Sequence, residues 1–138
     1  MPNARMQVTL NADAADVWKV VGPFDAIQTW HPAIGKAELS KDGQRRTLHM
    51  PDGSTSVERI VTYDDAAMQY RYAIVDPGPP LKDMLATFTV MSLGGKTVLT
   101  WEADFDAVPG APVDKVKAML EHIFGAAKPW LVERFGAA

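Results

Sequence analysis

The sequence contains no cysteine. Disulfides, thiolate metal ligands and a cysteine nucleophile are therefore excluded, and the composition fits a reducing compartment. Excess charge is small: 14 Lys and Arg against 17 Asp and Glu leave a net charge of -3. No polybasic surface exists for nucleic acid. No apolar run approaches the roughly 18 residues that span a bilayer. The opening MPNARMQVTL lacks the charged-then-apolar layout of a signal peptide. A cytoplasmic location without membrane insertion is the expectation. Histidine is scarce, and His31, His49 and His122 are scattered without metal-ligand spacing, so no metal is expected. P-loop, GxGxxG and GxSxG motifs are missing. No repeat, low-complexity segment or linker interrupts the chain, so residues 1–138 read as a single domain.

What is present is periodic. Met6, Val8 and Leu10 alternate with Gln7 and Thr9, the pattern of a half-buried strand. The period then changes. Asp13 is placed to cap a helix, with Asp16 in its first turn and Val17, Val20 and Val21 as its apolar stripe. Gly22-Pro23 stops it. A second short helix is expected from Asp25 to Trp30, closed by Pro32, because proline drives the preceding residue out of the helical region. Turn signals follow at Asp42-Gly43, Asp52-Gly53, Asp64-Asp65 and Gly94-Gly95. They divide residues 37–106 into six strands too closely connected for parallel crossovers. The loop Asp76–Pro80 holds too many prolines for strand interior.

The Gly94-Gly95 hairpin fixes a register. A two-residue turn sets Val90 against Leu99, Phe88 against Trp101, Ala86 against Ala103 and Met84 against Phe105. All are apolar and share one face, while Thr87, Thr89, Thr100, Glu102 and Asp104 share the other. After Pro112 and Asp114 comes a helical stripe of Val113, Val116, Met119, Leu120, Ile123, Phe124, Ala127, Leu131 and Phe135. Pro129 removes a hydrogen bond inside it, so the helix should bend near Gly125–Pro129.

A strand, two short helices, six meandering strands and one long amphipathic helix make an α+β fold. The sheet needs a cover, and only the last helix is long enough. The layout resembles the START-like, Bet v 1-like (SRPBCC) helix-grip superfamily, in its bacterial polyketide cyclase/dehydrase and lipid-transport branch. The residues that carry the likeness are Val17-Trp18, Phe24-Asp25, Trp30-His31-Pro32, Arg46-Thr47-Leu48, Asp52-Gly53, Glu58-Arg59, Tyr63-Asp64-Asp65, Tyr70-Arg71-Tyr72 and Trp101–Phe105. The resemblance implies a seven-stranded curved antiparallel sheet wrapped around the C-terminal helix. It also implies a cavity between them, entered near the proline-rich loop and the short helices. Fold alone does not settle function, because this superfamily includes lipid carriers, receptors and cyclases.

The ligand-contacting set expected of such a cavity is Trp30, Leu48, Tyr70, Phe88, Trp101, Phe105, Met119, Ile123 and Phe124. Acid–base chemistry would fall to His31, Arg46, Glu58 and Tyr72. Each has a plainer reading. Trp30 and His31 would fill core or sit at the cavity mouth. Arg46 and Glu58 would be a buried pair or a cross-strand pair on the wet face. A strict two-residue turn at Asp52-Gly53 sets Arg46 against Arg59; one bulged residue sets it against Glu58. Tyr70 and Tyr72 would form an aromatic wall or plain core. Three functions remain open: a binder of a small hydrophobic molecule, a cyclase/dehydrase needing no cofactor or metal, and a ligand-gated interaction module with Pro77–Pro80 as gate. The expected oligomeric state is monomer or homodimer.

Overall fold

The alternation in the first ten residues becomes a strand whose even positions are buried, β1 (Asn3–Leu10). The computed structural model describes residues 1–78 and 80–138. In it β1 leads into two short helices, α1 (Ala14–Val21) and α2 (Ile27–Trp30). Six strands follow: β2 (Lys36–Leu39), β3 (Arg45–His49), β4 (Thr55–Asp64), β5 (Gln69–Val75), β6 (Leu81–Leu93) and β7 (Lys96–Ala107). Helices α3 (Val113–Gly125) and α4 (Lys128–Phe135) complete the order. The seven strands form one antiparallel sheet in the order β1-β7-β6-β5-β4-β3-β2, so β1 pairs with β7. This is the α+β helix-grip arrangement, with the C-terminal helical segment packed on the sheet.

Turn chemistry sets the registers. Gly94 and Gly95 both have positive φ, at 57° and 80°, as a tight two-residue hairpin requires. Val90–Leu99, Phe88–Trp101, Ala86–Ala103 and Met84–Phe105 are therefore partners. At Asp52-Gly53 the chain takes the longer alternative. The Gly53 amide donates to the Met50 carbonyl and the Met50 amide to the Ser54 carbonyl, enclosing residues 51–53. Gly53 turns the corner at φ 89°. His49 then faces Thr55, and Arg46 faces Glu58. The like-charge contact is not removed but moved: Arg45 now faces Arg59, and both are exposed to water.

Several boundaries differ from expectation. Helix α2 begins at Ile27, because Pro23–Ala26 closes as a separate turn. Asp13 occupies the cap position of α1, but its side chain makes no capping hydrogen bond; its carbonyl takes the Asp16 and Val17 amides. Strand β6 starts at Leu81 rather than Met84, through an irregularity between Leu81 and Asp83. Pro112 precedes α3 instead of opening it. Pro79, in the expected gate, lies outside the described residues.

The expected bend in the last helix is a break. Ala126 donates to the His122 carbonyl and Ala127 to that of Phe124, the tightened pattern of a helix end. Pro129 has no amide hydrogen to return to Gly125. The buried stripe runs through Val116, Leu120, Phe124, Ala127 and Leu131, while Val113 and Ile123 are partly exposed. Among the described residues no helix is long and apolar enough to cross a membrane.

Gly22 links α1 to the rest. A Cβ there would lie 2.6 Å from both Cε2 and the carbonyl oxygen of Trp18, closer than such atoms approach. Trp18 is not free to move, because its Nε1 donates to Asp65 Oδ1 at 2.7 Å. Gly22→Ala should therefore destabilise the protein by about 1–3 kcal/mol, as overpacking does. Urea unfolding followed by circular dichroism measures it.

Candidate functional site

A cavity of about 290 Å³ lies between the sheet and α3. Leu48, Glu58, Tyr72, Met84 and Trp101 line it from β3 to β7, and Met119, Leu120, Ile123 and Phe124 line it from the helix. Ile27, His31 and Ile34 close the end beneath α2. The alternation of each strand puts these side chains on the concave face. Met50, Ile74 and Ile123 are only partly buried and form the rim.

Its wall contains a buried ion pair. Arg46 and Glu58 are cross-strand partners, with their side chains 0% and 8% exposed. Arg46 Nε donates to Glu58 Oε1 at 2.8 Å, and Nη2 lies 2.7 Å from the same oxygen. Arg46 Nη1 donates to the Phe24 carbonyl at 2.8 Å. The Phe24 ring lies 4.1 Å from the guanidinium carbon and the Tyr72 ring 4.9 Å, within cation–π range. Burial, the largest single influence, opposes the arginine's charge, but Glu58 together with Tyr70 and Tyr72 outweighs it and raises the Arg46 pKa further. The arginine is thus permanently charged, paired with Glu58 and set behind the carboxylate, although Nη2, close as it is to Glu58, has no aligned hydrogen-bond acceptor.

Trp101 joins the sheet to the helix. Its indole stacks on Phe124 at 4.4 Å, and its Nε1 donates to the Tyr72 hydroxyl at 3.0 Å. Burial, reinforced by the nearby Glu58 charge, pushes the Tyr72 pKa well above its ordinary value, so the hydroxyl keeps its proton. His31 meets Trp101 edge-on at 5.9 Å. Its Nε2 lies 2.7 Å from the Ile123 carbonyl, and its Nδ1 accepts the Ala33 amide at 3.2 Å. That pattern requires the neutral tautomer with hydrogen on Nε2. Burial lowers the His31 pKa below 6.5, against the pull of the Ile123 carbonyl. The carbonyl it holds is the one freed by the break after α3.

The candidate residues separate into two layers. His31, Glu58 and Tyr72, with Leu48, Trp101, Met119, Ile123 and Phe124, line the cavity. Arg46 lies behind Glu58, outside the lining. Trp30, Tyr70, Phe88 and Phe105 are also outside it, fully buried in packing. Trp30 packs on Phe88 at 5.3 Å, and Tyr70 on Phe24 at 5.5 Å. Both nitrogens of His31 are engaged by backbone, so neither offers a lone pair to a substrate. Ser56, Ile74, Leu81, Met84 and Leu120 line the cavity without having been singled out from sequence. For Met84 the signal was present, in its pairing with Phe105 on the apolar face. Ser56 follows only once Leu48 is known to face it. Pro77 and Gly78 line a separate surface depression.

Two outcomes follow. Glu58→Gln leaves a buried guanidinium without its counter-charge and should cost about 3–5 kcal/mol, whereas the double change Arg46→Met with Glu58→Leu should cost far less. Chemical denaturation of each variant measures this. For His31, the unfolded chain takes up a proton near pH 6.5 before the folded chain does. Stability should be unaffected above that pH and fall as pH drops below it, by at most about 1.4 kcal/mol per unit. His31→Gln should flatten the slope between pH 6.5 and 5, where denaturant midpoints are read.

Comparison with known proteins agrees with this architecture. The description "polyketide cyclase / dehydrase and lipid transport" belongs to the family that matches residues 1–131. Protein XoxI from Bacillus cereus is 23% identical, with a TM-score of 0.92 over 98% of this chain and 96% of its own. A START superfamily protein from Mycobacterium smegmatis is 19% identical, with a TM-score of 0.74 over 96% of each chain. The Zhui aromatase/cyclase from Streptomyces sp. R1128 is 21% identical, with a TM-score of 0.73 over 94% of this chain and 87% of its own. At these identities the three show the fold alone. No curated protein matches the sequence. On the family match across residues 1–131, the chain belongs to the polyketide cyclase / dehydrase and lipid transport family.

Proposed function

We propose that the chain binds a small, largely apolar molecule in the cavity between the sheet and α3. The observation that carries this reading is the cavity's lining: aliphatic and aromatic side chains from both layers, interrupted by Glu58, Tyr72, Ser56 and the engaged His31. Such a mixture, mostly apolar with a few convergent polar groups, is the usual make-up of a ligand site. The volume of about 290 Å³ lies at the small end of the range for such sites. It suits one or two rings or a short chain rather than a two-chain lipid. Family membership supports the reading, since lipid transport is part of its description.

A second reading is a cyclase/dehydrase-type enzyme working in the same cavity. It is favoured by a carboxylate and a protonated tyrosine on one wall. Glu58 would take a proton from carbon next to a carbonyl, and the Tyr72 hydroxyl would hydrogen-bond the oxygen that gains charge. Arg46 would be a positioning residue, and His31 would hold α3 in place.

The neutral fluorophore 1-aminoanthracene tests the binding reading. Its fluorescence should rise saturably with added protein. Met119→Trp, which fills the cavity from the helix side, should weaken binding at least roughly tenfold while the far-ultraviolet circular dichroism is unchanged. Equal binding by the folded variant would place the probe elsewhere and contradict the reading.

A further inference from the structure

Arg46 gives no donor to the cavity. Nε and Nη2 converge on Glu58 Oε1, Nη1 goes to the Phe24 carbonyl, and the side chain is 0% exposed. Glu58, standing in front of it, lines the cavity. Both close arginine contacts fall on one carboxylate oxygen, and among the described residues no donor reaches Oε2. Tyr72 lies beside it. Glu58 pairs with Ile74 and Tyr72 with Ile60, so the two side chains are diagonal neighbours on one face. The Tyr72 hydroxyl already accepts the Trp101 Nε1 hydrogen, and among the described residues its own proton has no acceptor. The wall therefore offers one charged acceptor and one neutral donor side by side, and no cation.

We propose that this wall selects a neutral ligand bearing a hydroxyl group (a phenol, an enol or an alcohol) and rejects free carboxylic acids. A hydroxyl has both a proton for Glu58 and lone pairs for Tyr72. A protonated amine has no lone pair for Tyr72. A carboxylate brings a second negative charge beside Glu58, in surroundings of low dielectric where Arg46 is already paired with Glu58 and is 0% exposed. The selectivity rests on the cavity being the binding site.

Isothermal titration of the unmodified protein at pH 7 with 2-naphthol, naphthalene and 2-naphthoate tests it, because the ring system is constant. A hydrogen bond to a charged group should make naphthol roughly tenfold or more tighter than naphthalene. Naphthoate should bind more weakly than naphthalene. If naphthoate binds as tightly as naphthol, or naphthalene as tightly as naphthol, the selectivity is overturned while the cavity reading stands. If none of the three binds, both are overturned.

Discussion

The buried pair of Arg46 and Glu58 constrains everything around it. A guanidinium at 0% exposure is tolerable only if its charge is matched. The matching comes from three places in the chain. The three-residue turn before β4 puts Glu58 opposite it. The segment after α1 supplies the Phe24 carbonyl and ring. Strand β5 adds the Tyr72 ring. Such a pair contributes little net stability over an apolar substitute. Its effect is on position, because the sheet and the α1–α2 segment must meet correctly for the charges to cancel. It also leaves a carboxylate, rather than a guanidinium, as the polar feature of an otherwise apolar cavity.

A second constraint ties the helix to that wall. Pro129 interrupts the C-terminal helix, and the break frees the Ile123 carbonyl from its helical partner. His31 takes that carbonyl, 92 residues away in sequence. The same imidazole touches Trp101, which stacks on Phe124 and donates to Tyr72. One chain of contacts therefore runs from the helix break through α2 to the polar wall. It fixes α3 against the sheet, and the cavity of about 290 Å³ is lined by members of the same chain of contacts.

The fold was legible where local chemistry decides it. Gly94-Gly95 admits one tight turn, so the β6–β7 register followed from counting residues. Proline placed the end of α2 and the break before α4. The site was only partly legible. Asp52-Gly53 accommodates two turns differing by one residue, and that residue decides whether Arg46 meets Glu58 or Arg59. The role of His31 depends on a carbonyl released at a distant break, which periodicity does not reveal. The apolar face of the sheet could be read, but not its cover. Phe88 and Tyr70 share that face with Trp101 and Tyr72, yet Trp30 and Phe24 pack over them. The cavity lies beside this packing and is closed at one end by Ile27 and His31.

A crystal of the protein soaked with 6-bromo-2-naphthol tests most directly whether the cavity takes a small apolar ligand and presents Glu58 to it, because the anomalous signal of bromine locates the ring. A bromine peak is expected between Leu48, Met84 and Met119, with the hydroxyl within hydrogen-bonding distance of Glu58. A bromine peak only on the outer surface, or a ring in the cavity with its hydroxyl turned from Glu58, would contradict this expectation.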